Sequence, residues 1–283
     1  MDYQITADST CDLSDALLQD YSIQLIPLTI HLGNDSFQDR VDIFPEQVFS
    51  CFSETGEVGK TAAPSIETYR AAFESLLKQG KKVLHVSLSS YFSSSYQSAR
   101  LAAEELGEDH VFVVDSLNLS TGSGHVALRA AELARTGIPL GEVAQRLRQE
   151  VVPKGEASFV ISDLTYLHRG GRCSSVAKLG ANLLKLKPCI EVVDGKMHVG
   201  RKYRGDYDKC VLEYVTNRLR GRNDLDDSRI FITHTTCEPS LTELVKQAIE
   251  REASFSEILI TDAGCTISTH CGPETLGILF LKK

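Results

Sequence analysis

Lys82-Val83-Leu84-His85-Val86-Ser87-Leu88 runs directly into Ser89-Ser90-Tyr91-Phe92-Ser93-Ser94-Ser95 and then into a helical stretch from about Tyr96 to Leu106. A short apolar run of this kind reads as a strand buried on both faces, and the hydroxyl-rich loop and helix complete a β-loop-α unit. The unit recurs on both sides. Upstream, Gln4 to Asp8 is a strand, and Ser9 to Asp15 supply polar capping residues for a helix through Leu17 and Leu18. Downstream, Val111 to Val114 is a strand ending at Asp115-Ser116, with a Ser/Thr/Gly-rich turn before a helix around His125 to Thr136. Repeated β-loop-α units imply a parallel sheet covered by helices on both faces.

Between these units, Ile23 to Leu32 is β-rich despite Pro27, which predicts an edge strand or a bulge. Gly33-Asn34-Asp35 marks a turn, and residues 33–41 form a loop or hairpin. Pro45 to Phe52 starts a helix. Ser65 to Gln79 is a clearer one, with Ile66, Tyr69, Ala72, Phe73, Leu76 and Leu77 on one face. Gly141 to Glu150 is one more. The second half changes character. Phe159 to Ile161, Pro188 to Val193, Met197 to Tyr203, Arg229 to His234, Ile258 to Thr261 and Gly277 to Leu281 read as strands. Asp194-Gly195 is a hairpin signal, and helices fall around 206–219 and 239–250. Hairpins plus helices imply a mixed sheet. The expected fold is α/β with two domains: an N-terminal parallel-sheet α/β/α domain over residues 1–155 and a C-terminal mixed-sheet α+β domain over residues 156–283.

The chain has 283 residues, 42% of them hydrophobic and 24% charged, enough for a core that needs no metal or disulfide staple. No apolar run approaches a membrane span, and the start does not resemble a secretory signal, so a cytoplasmic protein is expected. The 8 cysteines show no zinc or redox spacing, which predicts reduced, buried thiols and no metal. A net charge of −8 argues against nucleic-acid binding. It hides a basic stretch, residues 166–222, with 13 Lys and Arg against 5 Asp and Glu. That stretch fits an anionic partner or ligand group; a solvated face is the simpler reading.

Ligands of parallel α/β sheets collect beyond the carboxyl ends of the strands. Three loops expected there carry hydroxyls: Asp8-Ser9-Thr10, Ser89 to Ser95 and Ser116 to Ser123. Helix N-termini with serine donors suit a carboxylate or phosphate, although each loop alone also fits local capping. His270 stands among small residues, read as a loop, where an imidazole could meet a ligand. Arg169-Gly170-Gly171-Arg172 offers two guanidinium groups around a turn. It is neither a phosphate-binding P-loop nor a dinucleotide fingerprint, and the chain has no Gly-x-Ser-x-Gly elbow. These residues alone define a two-domain α/β protein with an anion site.

Five motifs in order carry a resemblance. They are Asp8-Ser9-Thr10-Cys11-Asp12-Leu13; Lys60-Thr61-Ala62-Ala63-Pro64-Ser65; Ser89 through Ala99; Leu164 through Arg172; and Thr269-His270-Cys271-Gly272-Pro273. Lys187-Pro188 and Asp194-Gly195-Lys196 fall between the last two. Over nearly its whole length the chain resembles the DegV family, the fatty-acid-binding group that includes the binding subunits of bacterial fatty acid kinase. The resemblance implies one fatty acid in an apolar tunnel between the two domains, with no other cofactor. It implies carboxylate contacts from Thr61, Ser93, the backbone N–H of Ser94, and His270. It further implies a non-enzymatic subunit that presents the carboxylate to a separate kinase of the dihydroxyacetone-kinase type, giving an acyl phosphate for phospholipid synthesis. Arg169, Arg201 and Arg204 would face that kinase and its phosphates. Four residues depart from the family pattern: Ala62 and Ala63 in the second motif, Ser94 in place of Gly, and Cys271 in place of Thr.

Transient contact with an anionic membrane surface is expected, because the ligand comes from a bilayer. The alternative is an acyl-ester hydrolase with Ser93 as nucleophile, His270 as base and Asp8 or Asp115 as orienter. A structural protein with a filled interior is a third reading.

Overall fold

The computed structural model describes residues 2–107, 109–174 and 186–283; Lys178 and Lys185 of the basic stretch lie outside these. The chain opens with β1 (Tyr3–Asp8), α1 (Asp15–Asp20) and β2 (Ile23–Ile26). A small antiparallel sheet follows, made of β3 (Thr29–Leu32), β4 (Asp35–Gln38) and, after α2 (Pro45–Thr55), β5 (Lys60–Ala62). Next come α3 (Ile66–Leu77), β6 (Lys82–Ser87), α4 (Ser95–Leu106), β7 (Val111–Asp115), α5 (Ser120–Arg135) and α6 (Leu140–Arg146). The second half contains β8 (Gly155–Ile161), α7 (Thr165–Gly170), β9 (Leu186–Val193), β10 (Lys196–Arg204) and α8 (Tyr207–Leu219). It ends with β11 (Leu225–Thr235), α9 (Pro239–Glu252), β12 (Glu257–Asp262), α10 (Cys265–Cys271) and β13 (Thr275–Lys282).

β1, β2, β6 and β7 form the parallel sheet, in the order β2-β1-β6-β7. The chain leaves β1 toward β2 and returns on its other side as β6, so the switch point of the sheet lies between β1 and β6. A crevice for ligands is expected beyond the strand ends there. The six later strands form one mixed sheet, β10-β9-β8-β13-β11-β12, antiparallel except for the β11–β12 pair. Both sheet types match the sequence reading.

The period-two alternation of the strands sets the layers. On one face of the parallel sheet, Val83, Val111 and Val113 pack with Tyr69 and Phe73 of α3 and Ala99 and Ala102 of α4. On the other, Ile5, Ala7, Leu84 and Val86 meet α5, whose far side meets Ala157, Phe159 and Ile161 of β8 and Leu279 and Leu281 of β13. Beyond the mixed sheet, Val160, Ile230, Ile232 and Ile278 pack against α8 and α9. The result is five alternating layers with α5 shared by both sheets. Small residues make that possible. A Cβ on Gly124 would stand 2.8 Å from the carbonyl oxygen of Cys11.

Three local expectations are corrected. Ile23–Leu32 is two strands in different sheets, because Pro27 has no N–H for a ladder and the chain turns there. Ser120–Ser123, expected as a turn, already forms the buried first turn of α5. His270, expected in a loop, lies in the last turn of α10. The Ser and Thr hydroxyls and Cys thiols in 265–271 hide this helix from a periodicity reading.

Candidate functional site

A cavity of about 690 Å³ opens at the switch point. That is within the ~300–1,000 Å³ range of small-molecule sites. Leu28, Leu88, Phe92, Leu119, Met197 and Ile267 supply apolar walls. Thr61, Ser90, Ser93, Ser94, Arg172, Thr266 and His270 supply polar ones. Thr61, Ser93, Ser94 and His270 are thus brought to one space from β5, the loop after β6, the cap of α4, and α10. A narrower pocket adjoins it, sharing Leu119, Ile267 and Cys271 and adding Phe159 and Leu279.

Thr61 Oγ1 and His270 Nε2 are 2.8 Å apart. His270 Nδ1 is buried without a hydrogen-bond partner, lodged against Gly170. Burial, helped by the positive charge of Arg172, pushes the imidazole pKa down to about 4. His270 is therefore neutral at pH 7 and carries one N–H. With that proton on Nε2, the ring donates to Thr61 Oγ1, leaving the threonine O–H free to donate into the cavity, or turns the same N–H to an acceptor held beside Thr61. The Gly-Gly pair has a steric role here. A Cβ at Gly170 would lie 2.4 Å from His270 Nδ1, and Gly171, at φ +69°, caps α7 in the left-handed region.

On the facing wall, Ser93 Oγ accepts from the Ser95 N–H at 3.2 Å and lies 2.9 Å from Ser95 Oγ. Its own hydrogen can turn to Ser95 or to the cavity. Ser94 has φ −77° and ψ 1°, a backbone that serine adopts without strain and that does not call for the glycine expected from the resemblance. The first N–H groups of α4 add partial positive charge on this side. Cys271 is a buried thiol pushed up to about 12 by burial, so it stays protonated and lines the cavity as a small apolar group with only a weak S–H donor.

The loop after β6 is anchored by a network that sequence reasoning missed. Asp8, buried at the end of β1, accepts from the Leu88 N–H at 2.8 Å, Ser87 Oγ at 2.8 Å and Tyr69 Oη at 2.5 Å. His85 Nε2 stands 3.3 Å away, and His85 Nδ1 pairs with Thr6 Oγ1. Burial raises the carboxyl, but the charge of His85 and these hydrogen bonds outweigh it and hold Asp8 below the usual carboxylate range. Burial and the neighbouring Asp8 push the Tyr69 phenol well up. The available signal was a histidine at 85 in an otherwise apolar strand next to an aspartate ending β1.

The hydrolase triad is not assembled. His270 pairs with Thr61, Asp8 serves the His85 network, and Asp115 accepts from the N–H groups of Ser90 and Leu117. Of the serines and threonines in the three hydroxyl loops, Ser90, Ser93 and Ser94 line the cavity. Ser9 donates to Asp39 and Ser120 to Asp12. Arg172 belongs to the cavity wall, a placement the motif reading left open. Arg169 is exposed and donates to the Gly56 carbonyl at 2.6 Å. Arg201 pairs with Glu213, and Arg204 is exposed; neither lines the cavity. Among the described residues, no three His, Cys, Asp or Glu side chains converge on a metal position, and no helix is long and apolar enough to cross a membrane.

Fold and site together define a three-sheet α/β protein with an apolar cavity whose polar wall is built from neutral hydrogen-bond donors and one arginine. The sequence model of the DegV family, whose members it describes as uncharacterised, matches residues 2–283, and the chain belongs to that family. A DegV domain-containing protein of Caldanaerobacter subterraneus subsp. tengcongensis is 31% identical, over 99% of this chain and 98% of that one. A fatty acid-binding protein of Thermotoga maritima is 31% identical over 98% of this chain and 96% of its own length. Among solved structures, a fatty-acid-binding DegV family protein of Thermus thermophilus superposes with a TM-score of 0.87 at 28% identity, covering 100% of both chains.

Proposed function

We propose that this chain binds one long-chain fatty acid, with the acyl chain along Leu28, Leu88, Phe92, Leu119 and Ile267 and the carboxylate at Thr61, Ser93, Ser94 N–H and His270. The observation that carries this reading is the joining of a large apolar cavity to the Thr61–His270 pair at 2.8 Å. A carboxylate gains charge-assisted hydrogen bonds there, and each buried CH₂ adds ~0.8 kcal/mol. Similarity to fatty-acid-binding proteins of Thermotoga and Thermus supports it. Residues 1–155 and 156–283 act in this reading as two domains flanking the ligand. Native mass spectrometry of the purified protein, before and after oleate is added, tests it. One fatty acid per chain is expected; protein that is lipid-free and takes up none refutes it.

The finer proposal is that the chain is a non-enzymatic subunit that presents the bound carboxylate to a kinase of the dihydroxyacetone-kinase type. The exposed Arg169, Arg201 and Arg204 would face that enzyme. Supplying such a kinase and ATP should yield an acyl phosphate, trapped by hydroxylamine as the hydroxamate. No hydroxamate with any such kinase would remove the proposal. Collection of the ligand proceeds by transient contact of the basic face with anionic bilayers. Vesicle sedimentation should be weak, salt-sensitive and dependent on anionic lipid.

A further inference from the structure

The helix that carries His270 is too short to hold its own position. α10 spans 7 residues, and helices of that length are unstable without outside contacts. Its first turn is gripped by two buried aspartate side chains, each 1% exposed. Asp39 Oδ1 accepts from the Cys265 N–H at 2.8 Å, and Asp39 Oδ2 accepts from Thr266 Oγ1 at 2.7 Å. Asp12 Oδ1 accepts from the Gly264 N–H at 2.9 Å. The core supplies further donors: Ser9 Oγ donates to the same Asp39 Oδ2 at 2.9 Å, and Ser120 Oγ donates to Asp12 Oδ2 at 2.6 Å. Gly264 leaves the space for this, since a Cβ there would stand 3.2 Å from Asp39 Oδ1 and 3.3 Å from Asp12 Oδ1.

Asp39 directly follows β4, and β4 belongs to the same three-stranded sheet as β5, which carries Thr61. One small sheet therefore holds both ends of α10: Asp39 fixes its start, and Thr61 meets His270 near its end. Buried charges are expensive to keep unless every lone pair is used. A carboxylate spent on this helix start is accounted for by what the helix carries.

We propose that Asp39 is a positioning residue that aims the His270 imidazole at Thr61 and the cavity. The binding arm of the test rests on the fatty-acid reading above; a second arm does not. In the first, oleate affinity is measured for Asp39→Asn, His270→Ala and the double variant. Each single variant should lose about tenfold, the scale of one hydrogen bond to a charged group. The double variant should lose no more than His270→Ala alone, because the aspartate acts through the histidine. Losses that multiply, or an Asp39→Asn protein with wild-type affinity, overturn the proposal. In the second arm, the His270 ring is titrated by NMR, its signal identified by its loss in His270→Ala. Freed from its dry corner, the ring should titrate higher in Asp39→Asn than in wild type; an unchanged titration overturns the positioning role. A wild-type protein that binds no oleate defeats the fatty-acid reading and leaves this arm to decide. If Asp39→Asn does not fold, Ser9→Ala, which removes one donor from Asp39 outside the cavity, is read in both arms by the same criteria.

Discussion

Gly170→Ala should separate ligand affinity from stability. Gly170 ends α7 and is not among the residues with positive φ, so alanine fits its backbone. Helix propensity alone favours alanine by ~1 kcal/mol. The new methyl would begin 2.4 Å from His270 Nδ1, where ordinary contact starts at 3.4 Å, so the ring must retreat by about 1 Å. That breaks the alignment with Thr61 and, if the proposed site holds a carboxylate, withdraws a hydrogen bond from it worth ~1.5–3 kcal/mol, or roughly 10- to 150-fold in Kd. Calorimetric titration with oleate and with methyl oleate reads the two parts. Oleate should weaken by that factor, while the ester, which has no carboxylate to aim, should change little. Scanning calorimetry should show a Tm close to wild type. Gly171→Ala is the counterpart: it meets nothing within 4 Å but sits at φ +69°. It should lower stability by ~1 kcal/mol and leave oleate affinity alone. Equal loss of oleate and methyl oleate in Gly170→Ala, or no loss of either, would refute the role given to this contact.

Burial lowers the His125 pKa from 6.5 to about 4. Because the folded value lies below the unfolded one, its contribution to stability is complete above pH 6.5 and is lost as pH falls from there toward 4, up to roughly 3 kcal/mol. Urea unfolding at several pH values should show that loss, reduced in His125→Gln; the same acid slope in both proteins would contradict it. Among the 8 cysteines Cys51 is half-buried and the rest are buried, with Cys11 and Cys189 pushed up to about 12 by burial. A thiol reagent should label Cys51 quickly and the others only on unfolding, and mass spectrometry of the partly labelled protein checks this. Tyr69→Phe removes a donor from the buried Asp8 carboxylate and should cost ~1–3 kcal/mol in denaturant titrations; a neutral result would mean that water replaces the phenol.

The parallel sheet, the mixed sheet and most helices were legible because their signals are local. Val83, Leu84, Val86 and Leu88 make an apolar run broken only by His85 and Ser87, Ile66 to Leu77 repeats at helical spacing, and Asp194-Gly195 closes a hairpin. Of the four polar residues that meet at the cavity, Ser93, Ser94 and His270 were already candidates from the hydroxyl-rich loop and the lone imidazole, but Thr61 came only through the ordered motifs, and without them composition gives the same weight to a capping serine as to a cavity one. Tertiary structure decided the rest. Ser9 and Ser120, as serine-like as Ser93, turn to Asp39 and Asp12 instead of the cavity. Arg172 enters the cavity wall while Arg169, three residues away, ties down the Gly56 carbonyl. The pairings Asp8–His85 and Asp39–Cys265 join residues 77 and 226 positions apart, a separation at which no local preference acts. Chain periodicity reports which face of an element is apolar; it carries no record of which polar groups the packing of those faces brings within 3 Å of each other, because hydrogen bonding depends on distances that only the closed fold sets.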